Sequence, residues 1–435
     1  NRVNPNAHTG HIRSSNLCVS GDTRLATQFG LVKAKDLYES KEKILATYDL
    51  RTDGDRLKKG VSVAQCIEMH KTKENADIFE VLTKDGYKIK STDWHEYYVL
   101  RDKSVVKLKL KDIKIGDKLL IQSEEGQFGK EGSYELGLLT GFIAGDGTFA
   151  VKKEKNYSIA LIDLYNEEIK LKDLIKSSLI EVINNDYETL RNPYKKDIKI
   201  SDPKEFSHTE NSRKVRFTSG RLGRILEEKY NFNKDNKLSV PEFIFKGTKE
   251  TVKGYLQGLF VSDSCVEKIK NNGIPSFVIK LSSKEIGLLE DVQLLLSNFG
   301  IRSKIYKSKR KNSFKYETVD GVNKEYFSNN IFLLSIHGNN AIKFINNIGL
   351  LGVKQEKALR IMKERVSKSG RVESSKKEYF EVEIKNIKHV GKEDVYDTTQ
   401  LVNHSLIFNG LVTGNCTEIF QNTKPNTYKF RITFD

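Results

Sequence analysis

From residue 18 to about residue 126, apolar and polar positions alternate in short runs that Gly and Asp interrupt. Residues 78–82, 87–89 and 97–100 are such runs, and Asp85-Gly86 and Gly116-Asp117 read as the turns between them. A two-residue period places successive side chains on opposite faces, so the stretch predicts an all-β unit. The same texture returns at 379–384, 395–396 and 405–412. Between these regions the pattern changes to longer helical periods mixed with basic strands. The expectation is one β domain interrupted by a second domain, with 366–377, rich in Ser and Lys, as the return linker.

The central block repeats itself. One copy opens with Leu138-Leu139-Thr140-Gly141-Phe142-Ile143-Ala144-Gly145-Asp146-Gly147, the other with Tyr255-Leu256-Gln257-Gly258-Leu259-Phe260-Val261-Ser262-Asp263-Ser264. A Lys-rich strand pair, an amphipathic helix (167–182 and 284–299) and further strands follow each copy. An α-β-β-α-β-β pattern used twice predicts an α+β domain with pseudo-twofold symmetry.

Length and charge sharpen this division. A chain of 435 residues has room for two or three domains. The net charge is +16, and residues 127–375 hold 43 Lys and Arg against 31 Asp and Glu. The flanking stretches 18–126 (21 against 19) and 376–415 (5 against 6) are together close to neutral. Base concentrated in one block points to a nucleic-acid-binding domain set into a neutral one. Four cysteines, at 18, 66, 265 and 416, are spaced too irregularly for a disulfide framework or a zinc site. Cys66 reads as a small buried hydrophobe. With no run of about 18 apolar residues and no signal-peptide pattern, the expected setting is cytoplasmic, without a membrane partner.

Cys18 and the Asn415-Cys416 pair need another account. A thiol is nucleophilic near neutral pH, and its ester is an activated acyl group. Four segments, in order, resemble those of inteins: Cys18-Val19-Ser20-Gly21-Asp22-Thr23; Gly86 to His95 with Thr92-Asp93-Trp94-His95; Val395-Tyr396-Asp397-Thr398 leading to His404; and Asn409-Gly410-Leu411-Val412-Thr413-Gly414-Asn415-Cys416. The resemblance implies an all-β, Hint-type horseshoe splicing domain (18–126 with 376–415) that needs no cofactor, with host fragments at 1–17 and 416–435. It also implies roles. Cys18 would attack the Leu17 carbonyl, while His95 and Thr92 polarise that peptide and protonate its nitrogen. Cys416 would take over the acyl group with help from Asp397. Asn415 would then cyclise and cut the Asn415–Cys416 bond, supported by His404. Most inteins place histidine before the terminal asparagine, whereas this chain has Gly414, which implies slower cyclisation or reliance on His404 or water. Removing 18–415 joins Asn16-Leu17 to Cys416-Thr417-Glu418, which resembles the active-site segment of the ribonucleotide reductase large subunit. By that resemblance Cys416 is the host's radical cysteine, beside Asn16 and Glu418.

The two apolar runs resemble the LAGLIDADG homing endonucleases, which assigns 127–375 to a nuclease. Gly141, Gly145, Gly258 and Ser262 would let two helices approach closely, each ending in a carboxylate, Asp146 or Asp263, near the shared axis. Two such carboxylates can hold a hard divalent ion, Mg²⁺, against a scissile phosphate. The implied partner is double-stranded DNA at the intein-less host gene, bound by a monomer. DNA contacts fall to basic strands: Lys304, Lys307, Lys309, Arg310 and Lys311 within 302–316, and Lys214 and Arg216 in the first half. Lys214 or Arg216 could also serve the first metal site, with only His337 offered in the second. Ser264 stands where the family usually has glycine. Alternatives are a Hedgehog-type domain that cleaves without ligating, a splicing element whose central domain binds DNA without cutting, and a plain DNA-binding regulator.

Overall fold

The computed structural model describes residues 18–53, 58, 60–152, 157–186, 202–209, 212–308, 312–317, 323–328, 331–374 and 378–415. The expected 1–17 and 416–435 fragments, with Asn16, Leu17, Cys416 and Glu418, lie outside these residues, as do Lys309, Arg310 and Lys311.

The alternating pattern at both ends of the chain builds one sheet. Strands His70–Thr83 and Glu381–Asp397, from either side of the central block, pair antiparallel along their length. Their inward positions Ala76, Ile78, Val81, Val382, Ile384 and Val395 are buried. Asp85-Gly86 forms the expected turn, with Gly86 at φ +101°, a region where a Cβ would be strained. The 13-stranded sheet brings the early and late segments together. Val19 pairs with both Tyr396 and Ser91, and Thr413 pairs with Tyr97. Asn409 and Gly410, at φ +48° and +75°, close the hairpin between Ser405–Phe408 and Leu411–Gly414. Two positive φ values are what a two-residue turn of this hand requires.

The central block forms two four-stranded sheets with one topology. The first runs Thr148–Lys152, Tyr157–Tyr165, Ser212–Ser219, Lys204–Thr209. The second runs Ser264–Asn271, Ile274–Ser283, Phe332–His337, Lys304–Lys307. Among the described residues only the second half adds a separate hairpin, Asn312–Glu317 with Asn323–Ser328. Helices Tyr134–Ala144 and Lys249–Asp263 lie side by side between the halves. A Cβ on Gly141 would stand 2.1 Å from the Tyr255 carbonyl oxygen, and one on Gly258 2.3 Å from that of Leu138. Backbone meets backbone there, so the spacing of small residues is a packing requirement, and Gly137 and Gly254 extend it by one turn.

Two expected boundaries shift. The 167–182 helix divides into a 3₁₀ turn, Asn166–Leu171, and an α-helix, Lys172–Asn185. The return linker is shorter than 366–377, because helix Gly352–Ser369 runs through its first residues and stops at Gly370, φ +68°. Ala358 and Ile361 bury one face of that helix, and its Lys and Glu residues are good helix formers.

The two regions pack tightly. Arg24 donates to both carboxylate oxygens of Glu242, at 2.9 and 2.6 Å, and lies 3.5 Å over the Phe245 ring. Arg302 donates twice to Asp85 Oδ2, at 2.9 and 2.6 Å. No helix among the described residues is long and apolar enough to cross a membrane.

Candidate active sites

Cys18 stands just before strand Val19–Ser20 and is 2 % exposed. Its amide donates to Thr92 Oγ1 at 3.4 Å, and its carbonyl accepts the Thr92 N–H at 3.0 Å. Thr92 thus brackets the Cys18 backbone on both sides. The His95 amide donates to the Thr92 carbonyl at 3.1 Å, so a single tight turn carries both residues. The His95 ring is buried edge-on against Tyr97, centroids 5.1 Å apart. Cys18 Sγ lies 2.8 Å from Thr72 Oγ1, which donates to the Val395 carbonyl at 3.0 Å. Burial, then the Asp397 carboxylate, push the Cys18 thiol far up, against smaller opposing effects from Thr72 and Lys73. In this arrangement the sulfur is held as the neutral thiol.

Asp397 ends strand Glu381–Asp397, buried, with Oδ1 accepting the Thr398 N–H at 2.8 Å. The next carbonyl, that of Thr398, accepts Asn415 Nδ2 at 3.0 Å. Asn415 is fully buried, and its amide donates to the His404 carbonyl at 3.2 Å. Its Oδ1 has no hydrogen-bond partner among the described residues. His404 itself adopts the left-handed conformation, φ +54°. Cys18, Thr92, His95, Asp397, His404 and Asn415 are therefore tied together through neighbouring strands and turns of one sheet. Thr72 and Lys73 were not legible as site residues, because a threonine or lysine in an alternating strand carries no signal of its own.

The second site lies at the ends of the paired helices. Asp263 Oδ2 is 3.4 Å from where a Cβ on Gly145 would sit, so this carboxylate faces the opposite helix. Burial and then Asp146 push Asp263 up to about 6. Burial also raises Asp146, with Lys354 opposing and Asp163 adding to it. Lys237 Nζ donates to the Gly147 carbonyl at 2.6 Å, and Lys354 caps the end of the second helix through the carbonyls of Phe260, Val261 and Ser262. Burial lowers both ammonium pKa values, while the two aspartates hold them up. Glu168, pushed up to about 7 mainly by burial, is a third carboxyl in the same field.

Lys237 and Lys354 are the residues that sequence reading missed, and the signal was present. They are 117 residues apart, the offset that separates Asp146 from Asp263. Of the residues expected in these roles, Lys214 does reach Asp146 with its charge. Lys214 and Arg216 are paired to Asp163, at 2.7 and 2.6 Å. His337 is exposed and lies 2.9 Å from Ser335 Oγ, under the charges of Lys280 and Lys304. Of the expected DNA-contacting residues, Lys304 and Lys307 are exposed, and Lys304 lies 3.7 Å from Asp85 of the outer sheet. Ser264 fits its place by donating to the Phe260 carbonyl.

Among the described residues no group of three or more His, Cys, Asp and Glu side chains forms a metal cluster. Asp146 and Asp263 still suit a hard cation. Both are partly desolvated and both are raised, so each gains from added positive charge. Water and substrate oxygens would have to complete the coordination.

Residues 250–349 match the model of the LAGLIDADG-like domain. The chain is 36 % identical over 429 residues to the ribonucleoside-diphosphate reductase NrdEB subunit alpha of Bacillus subtilis (strain 168), covering 98 % of this chain and 38 % of that protein. The chain thus spans well under half the length of that relative. The crystal structure of the LAGLIDADG meganuclease I-AabMI bound to uncleaved DNA overlaps 54 % of this chain and 92 % of its own, at 12 % identity and a TM-score of 0.32. A DnaB intein from Synechocystis sp. PCC 6803 overlaps 24 % of this chain and 67 % of its own, at 15 % identity and a TM-score of 0.20. The two sequence matches fit a LAGLIDADG-like element within a ribonucleotide reductase host.

Proposed function

We propose that the chain splices itself out between Leu17 and Cys416 and that its central domain cuts DNA. The observation that carries the first half is the bracketing of the Cys18 backbone by Thr92, in the same sheet that buries Asn415. The domain boundaries go with this reading: 18–126 with 376–415 for splicing, 127–375 for the nuclease, and host segments outside.

In splicing, Cys18 Sγ attacks the Leu17 carbonyl carbon. The S–C bond forms as the C–N bond breaks, and the amide nitrogen takes a proton; Thr92, whose Oγ1 meets that nitrogen, and His95 on the same turn would serve it. Cys416 displaces Cys18 from the acyl group. The proximity of Asp397 to Cys18 supports its assisting this exchange. Asn415 Nδ2 then closes on its own carbonyl, releasing Cys416, and the liberated amine takes the acyl group from sulfur. The raised Cys18 thiol fits a precursor held quiet until a general base engages it.

In the nuclease, Asp146 and Asp263 would hold Mg²⁺, which supplies Lewis-acid activation of water and of the leaving oxygen when bound. Lys237 and Lys354, which share the field of the two aspartates, would stabilise charge building on the phosphate. The exposed basic strands, Lys307 among them, offer contacts to the DNA backbone. The proposed substrate is the host gene lacking the insertion.

The test of the pair of activities is to supply the purified chain with Mg²⁺ and DNA spanning the joined host sequence. The expected result is a cut near the insertion point, lost in Asp146→Asn. DNA binding without any cut at that site would leave splicing as the only reaction.

A further inference from the structure

The strand pairing at the end of the chain sets Gly414 against a filled space. A Cβ on Gly414 would lie 2.9 Å from Glu96 Cβ, 3.0 Å from Glu96 Oε2 and 3.3 Å from Lys107 Cδ. The side chain absent at 414 is thus replaced by two from neighbouring strands, Glu96–Arg101 and Ser104–Lys109. Lys107 Nζ lies 3.8 Å from Glu96 Oε2 and donates to the His404 carbonyl at 3.4 Å. That same carbonyl accepts the Asn415 amide at 3.2 Å. One backbone oxygen, in a residue of left-handed conformation, therefore joins the lysine to the terminal asparagine.

Resting on the splicing reading, we propose that the Glu96–Lys107 pair positions Asn415 for cyclisation, in the space that a side chain at position 414 would otherwise take. In that step Asn415 Nδ2 bonds to its own carbonyl carbon, the bond to the Cys416 nitrogen breaks, and one Nδ2 proton ends on that nitrogen. No other reactant is needed. Lys107 touches none of these atoms. It anchors the His404 carbonyl and so fixes the Asn415 backbone while the side chain leaves the Thr398 carbonyl. The titratable groups that face Lys107 are Glu96 and Tyr98 on the adjacent strand and His404 in the turn, with Asp53 beyond Tyr98. Lys109 reaches instead over Trp94. Burial lowers the Lys107 pKa against the pull of Glu96. Its charge should therefore be lost, and the anchor weakened, at a lower pH than for an exposed lysine.

The test compares the full chain with Lys107→Met and Lys107→Arg, following both junctions by intact mass from about pH 6 to about pH 10. The readout is scission at Asn415–Cys416 relative to scission at Leu17–Cys18 driven by added thiol. Lys107→Met should lower that ratio on the order of tenfold to a hundredfold, the scale of a small misplacement of reacting groups. Lys107→Arg should keep most of the ratio and move its alkaline fall to higher pH, because guanidinium stays protonated. An unchanged ratio in Lys107→Met overturns the inference. So does an equal loss in both variants with no movement of the alkaline limb. Absence of scission at either junction in the unsubstituted chain would instead sink the splicing reading, and this inference with it.

Discussion

In the outer sheet Cys18, His95 and Asn415 are 2, 0 and 0 % exposed, whereas Asp146 and Asp263, at the paired helix ends, are only partly covered. The first set is held by backbone hydrogen bonds among strands and turns. The second is held by helix packing and left with electrostatic repulsion between its members. On the proposed reading the difference follows from where each substrate comes from. A site that acts on its own backbone encloses its substrate on folding and needs no mouth. A site that acts on DNA must stay open and can leave charge uncompensated until the cation and phosphate arrive.

The comparison breaks most sharply if one site is removed and the other fails too. Asp146→Asn should cut DNA cleavage by about a thousandfold or more while the chain still splices, and Asn415→Ala should do the reverse. Gel assays of DNA cutting and mass spectra of the same preparations check both.

Packing gives the next largest effect. Gly141→Val drives a side chain into the Tyr255 carbonyl and should destabilise the helix pair by about 3 kcal/mol or more. A separate, lower unfolding transition for the nuclease region is the expected thermal signature.

At Gly414, the substitution that sequence comparison suggests should do harm. Gly414→His meets Glu96 at its Cβ, a position tied to the backbone, and should slow Asn415–Cys416 scission by about tenfold. Adding Glu96→Gly, which removes that Cβ but also dissolves the Glu96–Lys107 pair, should recover only part of the loss, as read from the time course of the junction products.

Charge repulsion gives a smaller and signed effect. Because burial and Asp146 raise Asp263 to about 6, its contribution favours folding at low pH and fades as pH rises through that value. Asp263→Asn should therefore stabilise the nuclease region near pH 7 by on the order of 1 kcal/mol and flatten its pH dependence, while abolishing cutting. Chemical denaturation at several pH values reads this. Glu242 has the opposite sign. Burial pushes it up, but Arg24 and Lys33 outweigh that and hold it at about 2. Its contribution is present above the usual carboxylate range and lost as pH falls toward 2. Its half-exposed side chain limits Glu242→Gln to about 0.5 kcal/mol, seen as slight loosening between the two regions.

Much of this arrangement is legible in sequence because it is periodic or local. Alternation marked the strands that meet in the outer sheet, but the run 405–412 folds back at Asn409-Gly410, two residues that tolerate positive φ. Repetition marked the paired helices, since the small residues recur at the same offset as the aspartates. Lys237 and Lys354 share that offset but lie outside the conspicuous motif, so attention fell on Lys214, Arg216 and His337. Glu96, Lys107 and Thr72 were not legible at all. Their importance comes from strand register, which places Tyr97 opposite Thr413 and so Glu96 beside Gly414. Only the first residues of the 366–377 stretch misled, because Ser and Lys suggest a loop, while the apolar stripe that makes 366–369 helical lies earlier, at Ala358 and Ile361.

The central claim is tested most directly by intact mass spectrometry of the full 435-residue chain over time under reducing conditions. The account predicts a product spanning 18–415 together with a peptide in which Leu17 is joined to Cys416. Separate end fragments in place of the joined peptide would contradict ligation, and an unchanged chain would contradict splicing itself.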